Sequence, residues 1–177
     1  MIRNIPPFIT FPGVIIHEFA HAWACRRMGV RVIRVCYLRL GNPMGYVLHE
    51  RPATALQHIV IATAPFFVST FLSLMISCAA GAYFAGPAAD DYRDVILVLT
   101  LWLCFSVALH AFPSRGDGDA LWSDVKNPNV GLAAKLLLVP VVGVIRLAGI
   151  GRNFRFDAIF AAIVAAIPLL IAMKAFE

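Results

Sequence analysis

Long apolar runs, separated by short polar stretches, dominate the pattern along this chain. A helix that crosses a membrane needs about 20 mostly apolar residues. Four runs approach or exceed that length: Phe8–Cys25, Leu56–Phe84, Val95–Phe112 and Ile159–Met173. A fifth run, Gly131–Ile150, is interrupted by one lysine, one proline and one arginine. This fifth run either crosses the membrane or lies along its surface.

The segment after the first apolar run has a different pattern. Val30–Leu40, with the sequence VRVIRVCYLRL, is rich in β-branched residues, which favour strands. The turn-forming sequence GNPMG follows at Gly41–Gly45, and YVLHE comes directly after it. Two such stretches on either side of a turn predict a β-hairpin. A basic amphipathic helix over Val30–Leu40 is the alternative.

The composition supports the membrane interpretation. Hydrophobic residues make up 60% of the 177 residues and charged residues 14%, against averages of roughly 45–50% and about 25% in soluble domains. A globule of this size cannot bury that much apolar surface. We therefore expect one α-helical integral membrane domain over residues 1–177, with about four or five membrane segments and a small β-hairpin after the first.

Charge is distributed unevenly between the loops. Residues 26–55 include six arginines and one glutamate, whereas residues 85–94 include one arginine and three aspartates, Asp90, Asp91 and Asp94. Lysine and arginine are retained on the cytoplasmic side of a membrane, which predicts that the hairpin lies inside and the acidic loop outside. Arginines beside apolar segments account for the net charge of +5, so we expect no nucleic-acid partner.

Ionisable residues interrupt the first apolar run. The sequence VIIHEFAHAWACRR places His17, Glu18 and His21 in an HExxH pattern. Residues four apart share one face of a helix, so the two histidines can hold one metal ion. Glu18 then lies beside the ion, where it can act as a general base and later as a general acid. Zn²⁺ suits such a site because it binds imidazole and keeps a position open.

A catalytic zinc site usually has three protein ligands, so we expect a third one elsewhere in the chain. The third apolar run ends in LHAFPSRGDGDALWSD, which we expect on the cytoplasmic side of the membrane, the side expected for the HExxH pattern. Asp117 and Asp119 are the candidates, although Asp-Gly sequences also form solvated turns. Asp124 is expected on a helix or loop surface. His49 and His58 are expected at the membrane interface, without a role in the site.

These motifs resemble the site-2 protease family of intramembrane zinc metalloproteases. The resemblance rests on HEFAH in an N-terminal span, a β-rich segment after it, and two further spans that end in a proline and an Asp-Gly. It covers residues 8–122, about two thirds of the chain. The C-terminal helical segments expected over residues 130–173 lie outside it.

The family pattern also implies roles for particular residues. Its proline matches Pro113 and its third ligand matches Asp117, one residue closer together than is usual in the family. Asp119 is therefore the alternative third ligand. The asparagine of the family falls at His110, which would be a secondary polar group near the reacting carbonyl.

The resemblance implies a zinc-dependent endopeptidase that cleaves membrane proteins in or near their transmembrane segments. The distribution of arginines predicts that its site lies toward the cytoplasm. The hairpin would pair with an extended substrate segment. One alternative is a metal-binding membrane protein or partner subunit without proteolysis, and another is a hydrolase of soluble peptides or other amides near the membrane. Glu18 favours catalysis, because a structural or carrier metal needs no carboxylate beside its water. A regulatory partner or an oligomer is compatible with so short a chain.

Overall fold

The computed structural model describes residues 8–86, 91–151 and 154–175. These residues form a helical bundle with a small sheet. The helices are α1 (Phe11–Arg27), α2 (Ala55–Ala85), α3 (Arg93–Leu109), α4 (Arg115–Lys126), α5 (Leu132–Gly151) and α6 (Phe156–Ala175). The strands β1 (Val32–Cys36) and β2 (Tyr46–His49) lie between α1 and α2 in the chain. Asp90 of the expected acidic loop lies outside the described residues.

The predicted β-hairpin is present. β1 and β2 pair in the antiparallel direction, with Val35 opposite Val47 and Cys36 opposite Tyr46. Gly41, in the connection between the strands, has a φ of 149°, a backbone conformation that glycine adopts without the strain a side chain would add. The hairpin prediction is therefore confirmed, and the amphipathic helix over the same residues is wrong.

Three of the described helices, α2, α5 and α6, are long and apolar enough to cross a membrane. This number is lower than the four or five segments that the apolar runs predict. α1 and α3 each have 17 residues, which corresponds to about 26 Å of helix against a hydrocarbon core of about 30 Å. The fifth apolar run forms helix α5, which is one of these three membrane-length helices. The sequence had left open whether this run crosses the membrane or lies along its surface.

The outer faces of α5 and α6 are apolar. Leu136, Val144 and Leu147 of α5 and Ile163 and Ile171 of α6 are all exposed. Soluble monomers rarely expose contiguous apolar patches larger than a few hundred Å². These faces suit contact with lipid chains.

α2 is the central helix and packs against all five others. α1 crosses α3 closely at Gly13, whose amide donates a hydrogen bond to Oγ of Ser106 at 3.0 Å. A β-carbon at residue 13 would overlap the carbonyl oxygen of Ser106, so this approach requires glycine. One turn further along both helices, His17 meets His110. The crossing therefore brings the HExxH pattern to the end of α3.

Candidate metal centre

Three side chains that can bind a metal ion meet between α1 and α4. His17 and His21 lie one turn apart on α1, and their Nε2 atoms are 3.2 Å apart. Oδ1 of Asp117, in the first turn of α4, lies 3.5 Å from Nε2 of His21. One ligand atom from each of the three residues lies within 4.8 Å of the other two. His21 is buried, and the other two side chains are partly buried.

Backbone carbonyls orient both imidazoles. Nδ1 of His17 lies 2.7 Å from the carbonyl oxygen of His110, and Nδ1 of His21 lies 2.9 Å from that of Ile61. A carbonyl oxygen only accepts, so each Nδ1 donates a hydrogen, and each Nε2 of a neutral ring carries a lone pair. Two lone pairs therefore face each other across 3.2 Å. A cation or a proton between them would stabilise this arrangement.

Two of the three spacings between the donor atoms fit a tetrahedral zinc ion, and the third is within 4.8 Å. Zinc binds imidazole nitrogen at about 2.0–2.1 Å and carboxylate oxygen at about 2.0–2.2 Å, so two ligand atoms of one tetrahedral ion lie roughly 3.3–3.5 Å apart. The corresponding distances here are 3.2 Å between the two histidines and 3.5 Å between His21 and Asp117. Metal-binding histidines almost always donate their other ring hydrogen to a carbonyl, a carboxylate or water, as both of these do to carbonyls.

The carbonyl that orients His17 is made available by the end of a helix. α3 ends at Leu109, and the last carbonyls of a helix have no helical donor. Pro113 has no amide hydrogen, and the Ser114 amide donates to Oδ2 of Asp117 at 2.6 Å. Neither residue therefore donates a turn hydrogen bond to the His110 carbonyl. The carbonyl accepts a hydrogen bond from Nδ1 of His17 instead.

Asp117 is held by the N-terminus of α4. Its amide donates to Oγ of Ser114 at 3.2 Å, and its Oδ2 accepts from the Ser114 amide at 2.6 Å and from the Ser114 hydroxyl at 2.7 Å. This reciprocal pair is a capping box. It uses one carboxylate oxygen and leaves Oδ1 facing His21. The residues that could have formed a solvated turn are instead the first turn of a helix.

Asp119 lies away from the histidines. Its side chain is 77% exposed, and its carboxylate is 3.9 Å from the guanidinium of Arg146. Residues two apart on a helix point to different sides, so the rotation of α4 that turns Asp117 toward His21 turns Asp119 away. The structure brings Asp117, and not Asp119, to the HExxH histidines.

Glu18 lies between α1 and the hairpin. It is half-buried and directly follows His17 in α1. Gly45, buried beside it just before β2, packs so closely that a β-carbon there would lie 2.6 Å from Cγ of Glu18 and 3.0 Å from the carbonyl oxygen of Tyr37. Only glycine fits at this position without displacing its neighbours, so the hairpin limits where the Glu18 side chain can lie.

The imidazole of His110 takes part in a second set of contacts. Its Nε2 is 2.9 Å from Oγ1 of Thr10. The Ser106 hydroxyl donates to the Thr10 carbonyl at 3.0 Å, and these bonds join the start of α1 to the end of α3. His110 thus contacts the candidate metal centre through its backbone carbonyl, which orients His17.

A hydrogen-bonded cluster of Asp124, His58 and Arg51 lies outside the candidate site that the sequence predicted. Oδ2 of Asp124 accepts a hydrogen bond from Nδ1 of His58 at 2.6 Å, and Oδ1 accepts one from Arg51 at 2.5 Å. Asp124 is 7% exposed and His58 8%. The expectation of a surface Asp124 is therefore wrong, whereas the position of His58 at the membrane interface stays a prediction. Asp124 lies two turns beyond Asp117 on the same face of α4, and this spacing was the signal that could have indicated its burial.

The cluster ties α4 to α2. Burial raises the pKa of Asp124, but hydrogen bonds from His58 and Arg51 outweigh burial and hold that pKa below its usual value of 3.8. The carboxylate is therefore ionised at neutral pH. Because Asp117 and Asp124 share one face of α4, the Asp124–His58 bond also favours the rotation of α4 that turns Asp117 toward His21.

No family model, no curated protein and no solved structure matches this chain. Its function is therefore inferred from the chemistry of the residues that meet at this centre.

Proposed function

We propose that this protein is an intramembrane zinc metalloprotease that cleaves peptide bonds in or near the transmembrane segments of membrane proteins. The observation that carries the proposal is the convergence of His17, His21 and Asp117, with both Nδ1 atoms bonded to carbonyls and both Nε2 atoms turned inward. The HExxH pattern and the resemblance to the site-2 protease family support the same assignment.

Each residue has a distinct role in this proposal. His17, His21 and Asp117 would hold the ion. A bound Zn²⁺ supplies the positive charge that polarises a peptide carbonyl and acidifies a neighbouring water molecule. Glu18 would accept a proton from that water and pass it to the leaving amine. A contact between the His110 side chain and the reacting carbonyl stays a prediction.

Insertion into the membrane as a multi-pass protein, with the centre toward the cytoplasm, is part of the proposal. Three apolar helices support membrane insertion, and the six arginines in residues 26–55 support the orientation. In this arrangement α1 and α3 would lie within the bilayer among the longer helices. Water would reach the centre from the cytoplasmic side.

The hairpin is proposed to receive the substrate. A helical peptide in lipid bonds its own backbone groups, so cleavage requires the segment to become extended and to find new backbone partners. Addition to the edge of a sheet supplies them. The close contact between Gly45 and Glu18 supports this role, because a strand on the hairpin would lie near the proposed general base.

A metal-binding membrane protein without proteolysis is the second candidate. The three proposed ligands alone support this candidate as well as they support the protease. Glu18 distinguishes the two candidates, since a carboxylate beside the ion serves hydrolysis and has no purpose in storage or transfer of the ion.

The experiment that tests the proposal compares host membranes that contain the wild-type protein, the Glu18→Gln variant or the control Glu50→Gln, which alters an exposed glutamate on the hairpin segment. Proteomics would map new chain termini. We expect termini in or beside transmembrane segments with the wild type and with Glu50→Gln, and none with Glu18→Gln, although zinc remains bound. Identical termini in all three membranes, with zinc bound throughout, would favour the non-proteolytic candidate.

A further inference from the structure

We propose that Pro65 is a positioning residue for the metal centre. Pro65 interrupts the backbone hydrogen bonds of α2, so that the carbonyl of Ile61 accepts a hydrogen bond from Nδ1 of His21 instead. The inference rests on the proposed metal site, and it assigns a role in that site to a residue on a helix that contributes no ligand.

The first step concerns the backbone of α2. In an α-helix each carbonyl accepts from the amide four residues later. The residue four after Ile61 is Pro65, which lies inside α2. Proline has no amide hydrogen, and its ring pushes against the carbonyl four residues earlier. The carbonyl of Ile61 therefore lacks the amide donor that a regular α-helix supplies.

The second step concerns burial. Ile61 is 2% exposed, and Pro65 is fully buried. A buried carbonyl without a donor costs free energy comparable to a lost hydrogen bond. In most helices that contain a proline, water or a neighbouring side chain donates a hydrogen bond to such a carbonyl. Here Nδ1 of His21, from the adjacent helix α1, lies 2.9 Å from the carbonyl oxygen.

The third step concerns the tautomer of His21. A neutral imidazole carries its hydrogen on either Nδ1 or Nε2. The Ile61 carbonyl selects Nδ1, which leaves the lone pair of Nε2 facing His17 and Asp117. With the hydrogen on Nε2 instead, that nitrogen could not bind a metal ion. Pro65 thus favours the tautomer that a metal ligand requires.

The chain offers matched controls for a test. Pro140 and Pro168 also lie inside helices, α5 and α6, and neither helix carries a residue of the metal centre. Replacing either one restores an amide in an interrupted helix without touching His21. Pro65→Val is a second test variant beside Pro65→Ala, because valine restores the amide and fills more of the space left by the ring.

The experiment combines two measurements on purified protein in detergent. Nitrogen NMR of histidine-labelled, metal-free protein reports the tautomer of His21, and competition with a chelator reports the affinity for zinc. We expect Pro65→Ala and Pro65→Val to populate the Nε2–H form and to bind zinc about 10–100-fold more weakly, the usual effect of losing a partner that orients a ligand. Pro140→Ala and Pro168→Ala should match the wild type in both measurements.

Thermal unfolding separates positioning from folding. Proline in a helix interior is unfavourable relative to alanine, but truncation of the buried Pro65 also leaves a cavity, so both measurements are made at a temperature where the two Pro65 variants and the Pro140→Ala control are all folded. Unchanged zinc affinity and an unchanged tautomer in both Pro65 variants would overturn the inference. Failure of the wild type to cleave any protein would count against the proposed function alone, since the tautomer of His21 in metal-free protein still decides the role of Pro65.

Discussion

Asp117 presents one carboxylate oxygen to Nε2 of His21 at 3.5 Å and uses the other to cap helix α4. The capping bonds to Ser114 hold this carboxylate at the start of a helix. The same carboxylate therefore has a structural role and a proposed ligand role. The two roles can be separated, because they use different oxygen atoms.

Asp117→Asn should reduce zinc binding while α4 remains folded. The amide oxygen of asparagine can still accept from the Ser114 amide, but the atom that faces His21 becomes a hydrogen-bond donor. We expect zinc affinity to fall by at least the roughly 10–100-fold that loss of an orienting partner typically costs. Chelator competition measures this loss, and circular dichroism checks the helix content.

Asp119→Asn is the matched control for Asp117→Asn. Its side chain is exposed and lies near Arg146, so zinc affinity should stay at the wild-type value. A larger loss with Asp119→Asn than with Asp117→Asn would move the third ligand to Asp119.

Gly45→Ala should slow hydrolysis without releasing zinc. The added β-carbon would meet Cγ of Glu18 at 2.6 Å, so the carboxylate must move, and misplacement of a catalytic group by about 1 Å can cost roughly a hundredfold in rate. The measurement is kcat on a substrate identified from its new termini. Gly143→Ala is the control, since a β-carbon there meets no atom within 4 Å. Equal kcat values for the two variants would contradict the close contact between Gly45 and Glu18.

His110→Ala should leave zinc affinity nearly unchanged. The contact from His110 to His17 is made by the backbone carbonyl, which the substitution retains. A fall in kcat with zinc still bound would support a role for the imidazole near the reacting carbonyl. Loss of zinc would contradict the assignment of the carbonyl as the group that orients His17.

Asp124→Ala should destabilise the fold in a pH-dependent way. It leaves buried His58 without its carboxylate, which costs about 1.5–3 kcal/mol for a hydrogen bond to a charged group. Because the folded-state pKa of Asp124 lies below its usual value of 3.8, this contribution is complete above that value and is lost as the pH falls through the lower pKa.

Unfolding in detergent, from neutral pH to pH values below the folded-state pKa of Asp124, measures the contribution of Asp124 to stability. The stability difference between wild type and Asp124→Ala should disappear under strongly acidic conditions. Asp119→Ala, which alters an exposed carboxylate, should show little difference at any pH. A difference for Asp124→Ala that persists unchanged below the folded-state pKa would show that the ionised carboxylate is not its source.

Features set by nearby residues could be predicted from the sequence. The spacing of His17 and His21 puts both on one helix face, and Gly41 and Pro43 mark the turn of the hairpin. These depend on local geometry, which repeats wherever such spacings occur.

Features set by distant residues could not be predicted in this way. The bond between His58 and Asp124 joins residues 66 positions apart, and nothing in either local sequence selects the other. The carbonyls that orient the two histidines belong to backbone groups, which leave no mark in a pattern of side chains. The number of membrane-length helices was also overestimated, because an apolar run can continue beyond the helix that forms within it, as Val95–Phe112 does beyond the end of α3 at Leu109.

The central claim is that His17, His21 and Asp117 bind one zinc ion. Its most direct test is X-ray absorption spectroscopy, combined with elemental analysis, on protein purified from zinc-replete cells. We predict one zinc per chain, bound by two imidazole nitrogens and by oxygen, with no sulfur ligand. Absence of zinc, or a sulfur ligand from one of the four free cysteines, would contradict this assignment.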